Sequence, residues 1–253
     1  MSHPHSAAWP DAARALGRGA LPILPFGAHE QHGPHLPLAT DTVMAAGLAG
    51  RIAEQVDGWL LPAVTYGHTV GNDGFPGTVS LSFETVRAVA ADICRALVRQ
   101  GARGVVVVNG DFGNRAPLEL AAQQVRAETS RPVLVVNYPG LAEIAAELCT
   151  TAPAGWGLMH ADEFETSVVL ALEPEHVRME RAVAEYPDFP ATFPELSEPL
   201  HRLSRSGVFG DPTPATAELG RRLLDRLTDR AVALVSEFRR ALPAANPPPA
   251  DLG

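Results

Sequence analysis

The sequence predicts an α/β layered domain, and three observations carry that prediction. Short apolar runs alternate with stretches whose apolar residues recur every three or four positions, the patterns of buried strands and amphipathic helices. Residues 104–108 (GVVVV) are apolar without alternation, as expected of a strand covered on both faces of a parallel sheet. The 253 residues, 46% of them apolar and 19% charged, suffice for one large core, and no repeat or linker divides them. One domain over 1–242 is expected, with an unstructured tail at 243–253 (PAANPPPADLG).

The elements follow in order. Residues 20–26 (ALPILPF) read as a buried strand whose prolines blur its ends. A polar loop leads to Thr40 or Asp41, either of which could cap a helix carrying Met44, Leu48, Ile52 and Val56 on one face. Residues 59–64 form a second short strand, followed by the glycine-rich loop GHTVGNDGFPGT. A helix over 83–100 places Val86, Ile93 and Leu97 together, and the valine strand comes next. Residues 114–128 return as helix, 132–137 (PVLVVN) as strand, and 141–149 and 163–172 as helices. The proline-rich region 173–212 resists assignment, and 214–241 is a long amphipathic helix.

Composition excludes several function classes. A net charge of −9 without a basic cluster argues against nucleic acid as a partner. No apolar run approaches the roughly 20 residues that cross a bilayer, and the first 20 residues lack the apolar core of a signal peptide. Cys94 and Cys149 sit in helical stretches and are expected as free thiols, in keeping with a cytoplasmic location. All 20 basic residues are arginine, so Schiff-base, pyridoxal-phosphate and phosphate-loop lysine chemistry is excluded.

The remaining chemistry lies at predicted strand ends, where ligands gather in open parallel sheets. After the first strand stands GAHEQHGPHLPLATD, with His29, Glu30, His32, His35 and Asp41. His68, Asn72, Asp73 and the turn Phe75–Thr78 follow the second, and Asn109-Gly110-Asp111-Phe112-Gly113-Asn114 the valine strand. A fourth cluster is His160-Ala161-Asp162-Glu163-Phe164-Glu165. Imidazoles with carboxylates suit zinc, manganese or iron, and Glu30 and His32 point the same way in an extended segment. A solvated histidine-rich loop is the alternative that spacing alone leaves open.

Taken together, the clusters resemble the creatininase family. GAHEQHGPHLPLATD is similar to that family's signature loop, and FPGTVSLS, HADEFETS and GVFGDPTPAT resemble later blocks in the same order, from about Leu21 to Leu223. The resemblance implies a three-layer α/β/α sandwich with a mainly parallel central sheet, a homo-oligomer, often a hexamer, and one or two divalent ions (Zn, Mn or Fe). It implies hydrolysis of an amide-type C–N bond in a cyclic amide, a formamide or a peptide end, in a specialised biosynthetic or cofactor pathway. Glu30 would bind one ion, His32 the second, and Asp41 would bridge them. Glu165 would serve the metal site, and His160 would transfer protons near the substrate.

Three positions that depart from the family pattern bear on this reading. Asp111 stands where the family has a metal-binding histidine, and a shorter, harder aspartate still ligates manganese, iron or magnesium. Gly113 stands where creatininase has a ligating glutamate, with Glu165 as substitute. Asp162 replaces a usual glycine and either caps the following helix or meets a cationic group. A non-catalytic homologue serving as a scaffold, and a cyclising or dehydrating enzyme in the same crevice, remain open alternatives. Among lesser candidates, His35 and Pro34 shape the loop, and His68 either approaches substrate or is solvated. Trp156 is expected in the core, His176 and His201 on the surface, and His3 and His5 in an unstructured start.

Overall fold

The computed structural model describes residues 7–242 apart from 194 and 197. The expected tail at 243–253 and His3 and His5 lie outside the described residues. Four parallel strands form one sheet: β1 (Pro22–Phe26), β2 (Trp59–Leu60), β3 (Val105–Asn109) and β4 (Val133–Val136), in the order β2-β1-β3-β4. Ile23 pairs with Val106, and Val107 with Val135. Among the described residues seven α-helices accompany them: α1 (Trp9–Gly17), α2 (Thr40–Gln55), α3 (Phe83–Arg99), α4 (Arg115–Thr129), α5 (Leu141–Leu148), α6 (Glu163–Leu172) and α7 (Ala217–Arg240).

The non-alternating valines have a direct physical reason. Because successive side chains of a strand point to opposite faces, an all-apolar strand needs cover on both. Ile23, Val106 and Val108 turn toward α2, α5, α6 and α7, in a core with Leu48, Ile52, Ile144, Val168, Leu223 and Leu227. Leu24, Phe26, Val105 and Val107 turn the other way, against Val86, Cys94 and Leu97 of α3 and Leu118 and Val125 of α4. Each fully buried aliphatic side chain contributes about 1.5–3 kcal/mol relative to exposure. The fold is therefore an α/β sandwich of three layers, as the sequence predicts.

Several expectations need correction. Neither Thr40 nor Asp41 caps α2: the cap position is Ala39 without a side-chain bond, and the Thr40 hydroxyl instead donates to the Pro37 carbonyl at 2.7 Å. The second strand is two residues long rather than six, because Pro62 removes a ladder donor; Val64 keeps only an isolated bridge to Phe26. The α3 face includes Val86 and Leu97 in the core, while Ile93 is only partly buried. Trp156 is not a core residue: it is 65% exposed, at a left-handed φ of 63° between two glycines. The sequence reading assigned no element to α1, which buries a single residue, Ala15. Region 173–212 holds three short 3-10 turns and the bridges His160–Phe209 and Glu185–Gly210, which tie it over the sheet's carboxyl end.

The start of α2 packs closely against the ends of β1 and β3. A Cβ on Gly110 would lie 2.2 Å from the Asp41 carbonyl oxygen, so only glycine admits the first turn of α2 here. That close approach brings Asp41 down beside the residues that follow each strand.

Candidate metal centre

The carboxyl end of the sheet gathers the residues that the sequence had left far apart. The loop after β1 supplies Glu30 and His32, α2 supplies Asp41, the loop after β3 supplies Asp111, and α6 supplies Glu165. All are buried except Glu165, whose side chain retains 12% exposure. The His32 Nδ1–H donates to the Glu30 carbonyl at 3.1 Å, which aims Nε2 at Asp41 Oδ1 (3.3 Å) and Glu165 Oε2 (3.6 Å). Anchoring one imidazole nitrogen on a carbonyl is how metal-binding histidines are usually oriented.

Ligand atoms within 4.8 Å of one another fall into two triads that share Asp41: His32–Asp41–Glu165 and Glu30–Asp41–Asp111. A third grouping, Glu30–His32–His160, draws largely on the same side chains. Three of the donor atoms, His32 Nε2, Asp41 Oδ2 and Asp111 Oδ2, are buried without a hydrogen-bond partner. Buried polar atoms left unpaired cost roughly 1–3 kcal/mol each, more when charged, so three spread over these two triads call for cations. The residues present therefore fit divalent ions. Asp111 Oδ1 accepts from the Gly113 N–H at 2.9 Å, which orients the free oxygen. A side chain at position 113 would place its Cβ 2.1 Å from the His68 carbonyl, so no glutamate fits there in this backbone.

The electrostatics agree. Burial, then Asp111 and Asp41, hold the Glu30 carboxyl well above its usual range, and burial with Asp41 does the same to Asp111. Burial, opposed by His32 and reinforced by Asp162 and Asp41, pushes Glu165 up to about 8. Burial works against a charged His32, yet Asp41, Glu165 and Glu30 outweigh it and keep its pKa well above 6.5. These are carboxylates crowded beyond what one imidazole can neutralise. A cation bound among them would return them to their charged form.

His160 lies beside this cluster, its ring 4.3 Å from that of His32, and its Nδ1 is 4.0 Å from Glu165 Oε2. Two amide residues determine its tautomer. The Gln31 Nε2 amide donates to Asn72 Oδ1 (3.0 Å) and the Gly207 carbonyl (3.1 Å), while its Oε1 accepts from the Gly33 N–H (2.9 Å). His160 Nε2 lies 2.9 Å from both the Gln31 carbonyl and Gln31 Nε2; with both amide hydrogens committed elsewhere, the tautomer that fits is Nε2–H donating to the carbonyl. Its Nδ1 lone pair then faces the carboxylates. Burial, and next the charge of His32, hold its pKa well below 6.5, so the ring is neutral. Asn72 Nδ2 also donates to Glu30 Oε1 at 2.7 Å and so orients that carboxylate.

The other sequence candidates fall into supporting positions. Asp162 caps α6, accepting from the Glu165 N–H at 3.1 Å, and Ala161, at a left-handed φ of 52°, aims its own N–H at Glu165 Oε2 (2.6 Å). His35 bonds through Nε2 to the Thr166 hydroxyl at 2.8 Å and ties the loop to α6. The His68 Nδ1–H donates to the Leu81 carbonyl at 3.0 Å, so His68 braces its loop. Thr78 accepts from the Gln31 N–H at 3.0 Å, and Asn114 bridges the His68 N–H and the Gly27 carbonyl. His176 and His201 lie at the surface. Among the described residues no helix is long and apolar enough to cross a membrane, and Cys94 and Cys149 are free thiols.

Three residues near the site had no role in the sequence reading: Gln31, Asn72 and Tyr138. Gln31 and Asn72 lie within the polar clusters already noted, but an amide at a loop position carries no type-specific signal. Tyr138 stands two residues after β4, and its place after a buried parallel strand was the available clue.

Comparison with known proteins adds independent findings. The family model for creatinine amidohydrolase (creatininase) matches residues 5–235. A creatinine amidohydrolase of Pseudomonas putida is 32% identical over 84% of this chain and 87% of its own length. A mycofactocin precursor peptide peptidase of Mycobacterium ulcerans is 34% identical over 85% of this chain and 84% of its own. A solved manganese form of creatininase superposes with a TM-score of 0.83 at 27% identity, covering 92% of this chain and 97% of that one.

Proposed function

The chain belongs to the creatininase family of amidohydrolases, and from that premise we propose that it hydrolyses an amide-type C–N bond in the crevice around Asp41. The observation that carries this reading is the pair of donor triads sharing Asp41, with His32 Nε2, Asp41 Oδ2 and Asp111 Oδ2 buried and unpartnered. Glu30, Asp41 and Asp111 would hold one divalent ion, and His32, Asp41 and Glu165 a second. Imidazole with carboxylates suits zinc, manganese or iron. Such ions lower the pKa of a bound water and polarise the substrate carbonyl.

The chain's own residues supply the rest. Glu165 Oε2 lies 3.6 Å from His32 Nε2 and 4.0 Å from His160 Nδ1, so one carboxylate would hold the ion and orient the attacking water. His160 begins neutral with Nδ1 free, takes the proton that water gives up as its oxygen joins the carbonyl carbon, and delivers it at Nδ1 to the leaving nitrogen. Its Nε2–H stays on the Gln31 carbonyl throughout, which keeps the ring in register. The substrate class is a cyclic amide, a formamide or a peptide end; creatinine and a precursor peptide are named as substrates of two relatives. A specialised biosynthetic or cofactor pathway fits the altered Asp111 block. Two unpaired cysteines support a reducing compartment such as the cytoplasm. A homo-oligomer, as in the family, would appear in light scattering as about six chain masses.

The test is a hydrolysis screen over those three substrate classes. Activity should vanish on chelation and return with zinc or manganese. His160→Ala should lower turnover by roughly 10²–10⁴-fold while the metal content stays unchanged. A variant with full turnover would remove His160 from the mechanism.

A further inference from the structure

Tyr138 carries a buried hydroxyl at the sheet's carboxyl end that the mechanism above does not use. It follows β4 as Asp111 follows β3, in adjacent strands whose last paired residues are Val136 and Val108. The two loops are joined by Asn109, whose Nδ2 donates both to the Asp111 carbonyl (2.8 Å) and to Asn137 Oδ1 (2.9 Å). Tyr138 therefore stands beside the carboxylate cluster, where the charges of Asp41, Glu165 and Asp111 reach its hydroxyl. Its hydroxyl is sealed from solvent yet has no hydrogen-bond partner among the described residues. A buried phenol ordinarily finds one.

Two further features show that this position is held. Tyr138 adopts a left-handed φ of 45°, uncommon for a residue with a bulky side chain, in a turn closed by the Leu141 N–H on the Tyr138 carbonyl at 3.1 Å. The Phe164 ring packs edge-on against it, 6.1 Å away at 81°, from the residue before Glu165. Strain of this kind persists where surrounding structure enforces it, often at functional sites. Burial, then the charges of Asp41, Glu165 and Asp111, keep the phenol far above its ordinary pKa. It stays a neutral O–H donor at any working pH.

We propose that Tyr138 is a further catalytic residue, its hydroxyl donating a hydrogen bond to the substrate oxygen as that oxygen gains negative charge. A neutral donor beside crowded carboxylates has no charge of its own to repel. It stabilises the tetrahedral stage without exchanging a proton, so the water-to-nitrogen transfer through His160 is unaltered. The inference rests on the metal-hydrolase reading.

The experiment uses zinc-loaded wild type and Tyr138→Phe, with metal content measured on each, and methylphosphonate as a small tetrahedral oxyanion titrated calorimetrically. Both proteins should hold the same metal per chain, and the variant should bind methylphosphonate about tenfold or more weakly. Equal affinity at equal metal content overturns the proposal, as does a loaded wild type that does not bind the probe. Metal lost from the variant alone would put the hydroxyl on a ligand carboxylate and also overturn it. Metal absent from both proteins would instead bring down the hydrolase reading beneath it.

Discussion

At the scale of single residues, the site depends on amides that hold the charged groups in place. Asn72 spends one amide hydrogen on Glu30 and accepts from Gln31, linking a ligand carboxylate to the residue whose carbonyl orients His160. Asn72→Ala should weaken metal binding by about 10–100-fold in a chelator competition, the usual cost of losing a partner behind a ligand. Unchanged affinity would make Asn72 a packing residue only. The charged members were legible in the sequence because each stands in a short block of unusual composition. The roles of Gln31 and Asn72 were not, since the partners that tie them to the site lie 41 to 176 residues away and no local pattern announces such bonds. Asp41 was read both as a bridging metal ligand and, as an alternative to Thr40, as a cap, and only the cap reading fails. Its carboxylate faces the cluster, and the helix begins without one.

At the scale of elements, two helix starts separate stability from function. Ser82 caps α3 by accepting from the Thr85 N–H at 3.1 Å, far in sequence from the metal residues, and Asp162 caps α6 in the same way on Glu165. Ser82→Ala should cost about 1 kcal/mol of stability with metal binding intact. Asp162→Ala should cost a similar amount and also weaken metal binding, because Glu165 sits in the turn that the cap organises. Denaturant melts paired with metal titrations check both; equal metal affinity in the two variants would detach the cap from the site. Helix boundaries were readable to within a few residues, and those of α6 in full, because an apolar stripe and a cap each leave a local signature. The second strand was overread, since apolar residues continue past Leu60 although Pro62 ends the ladder. Trp156 was misplaced because size and hydrophobicity favour the core, whereas a left-handed turn between glycines carries it outward.

At the scale of the whole molecule, the fold holds an excess of carboxylate that favours different proton counts with and without metal. In metal-free protein Glu165 titrates near 8 rather than 4.5, and Glu30, Asp111 and His32 are shifted upward as well. Such groups bind more protons folded than unfolded, so folding stability falls as pH rises through that interval. His160 and His35, shifted downward, act in the opposite sense, but only below about 6.5. The melting temperature of stripped protein should therefore fall between about pH 6.5 and 8, and added zinc should raise it most at the upper end. A flat profile in the stripped protein would mean that the carboxylates are already neutralised by something else. The three-layer architecture itself was readable, because an all-valine strand leaves few folds to choose from.

The most direct test of the central claim is metal content per chain, by plasma mass spectrometry, on wild type and Asp111→Asn purified without chelator. Two triads sharing Asp41 predict two ions in the wild type and one in the variant, retained by His32, Asp41 and Glu165. A wild type without metal, or a variant that still holds two ions, would contradict the account.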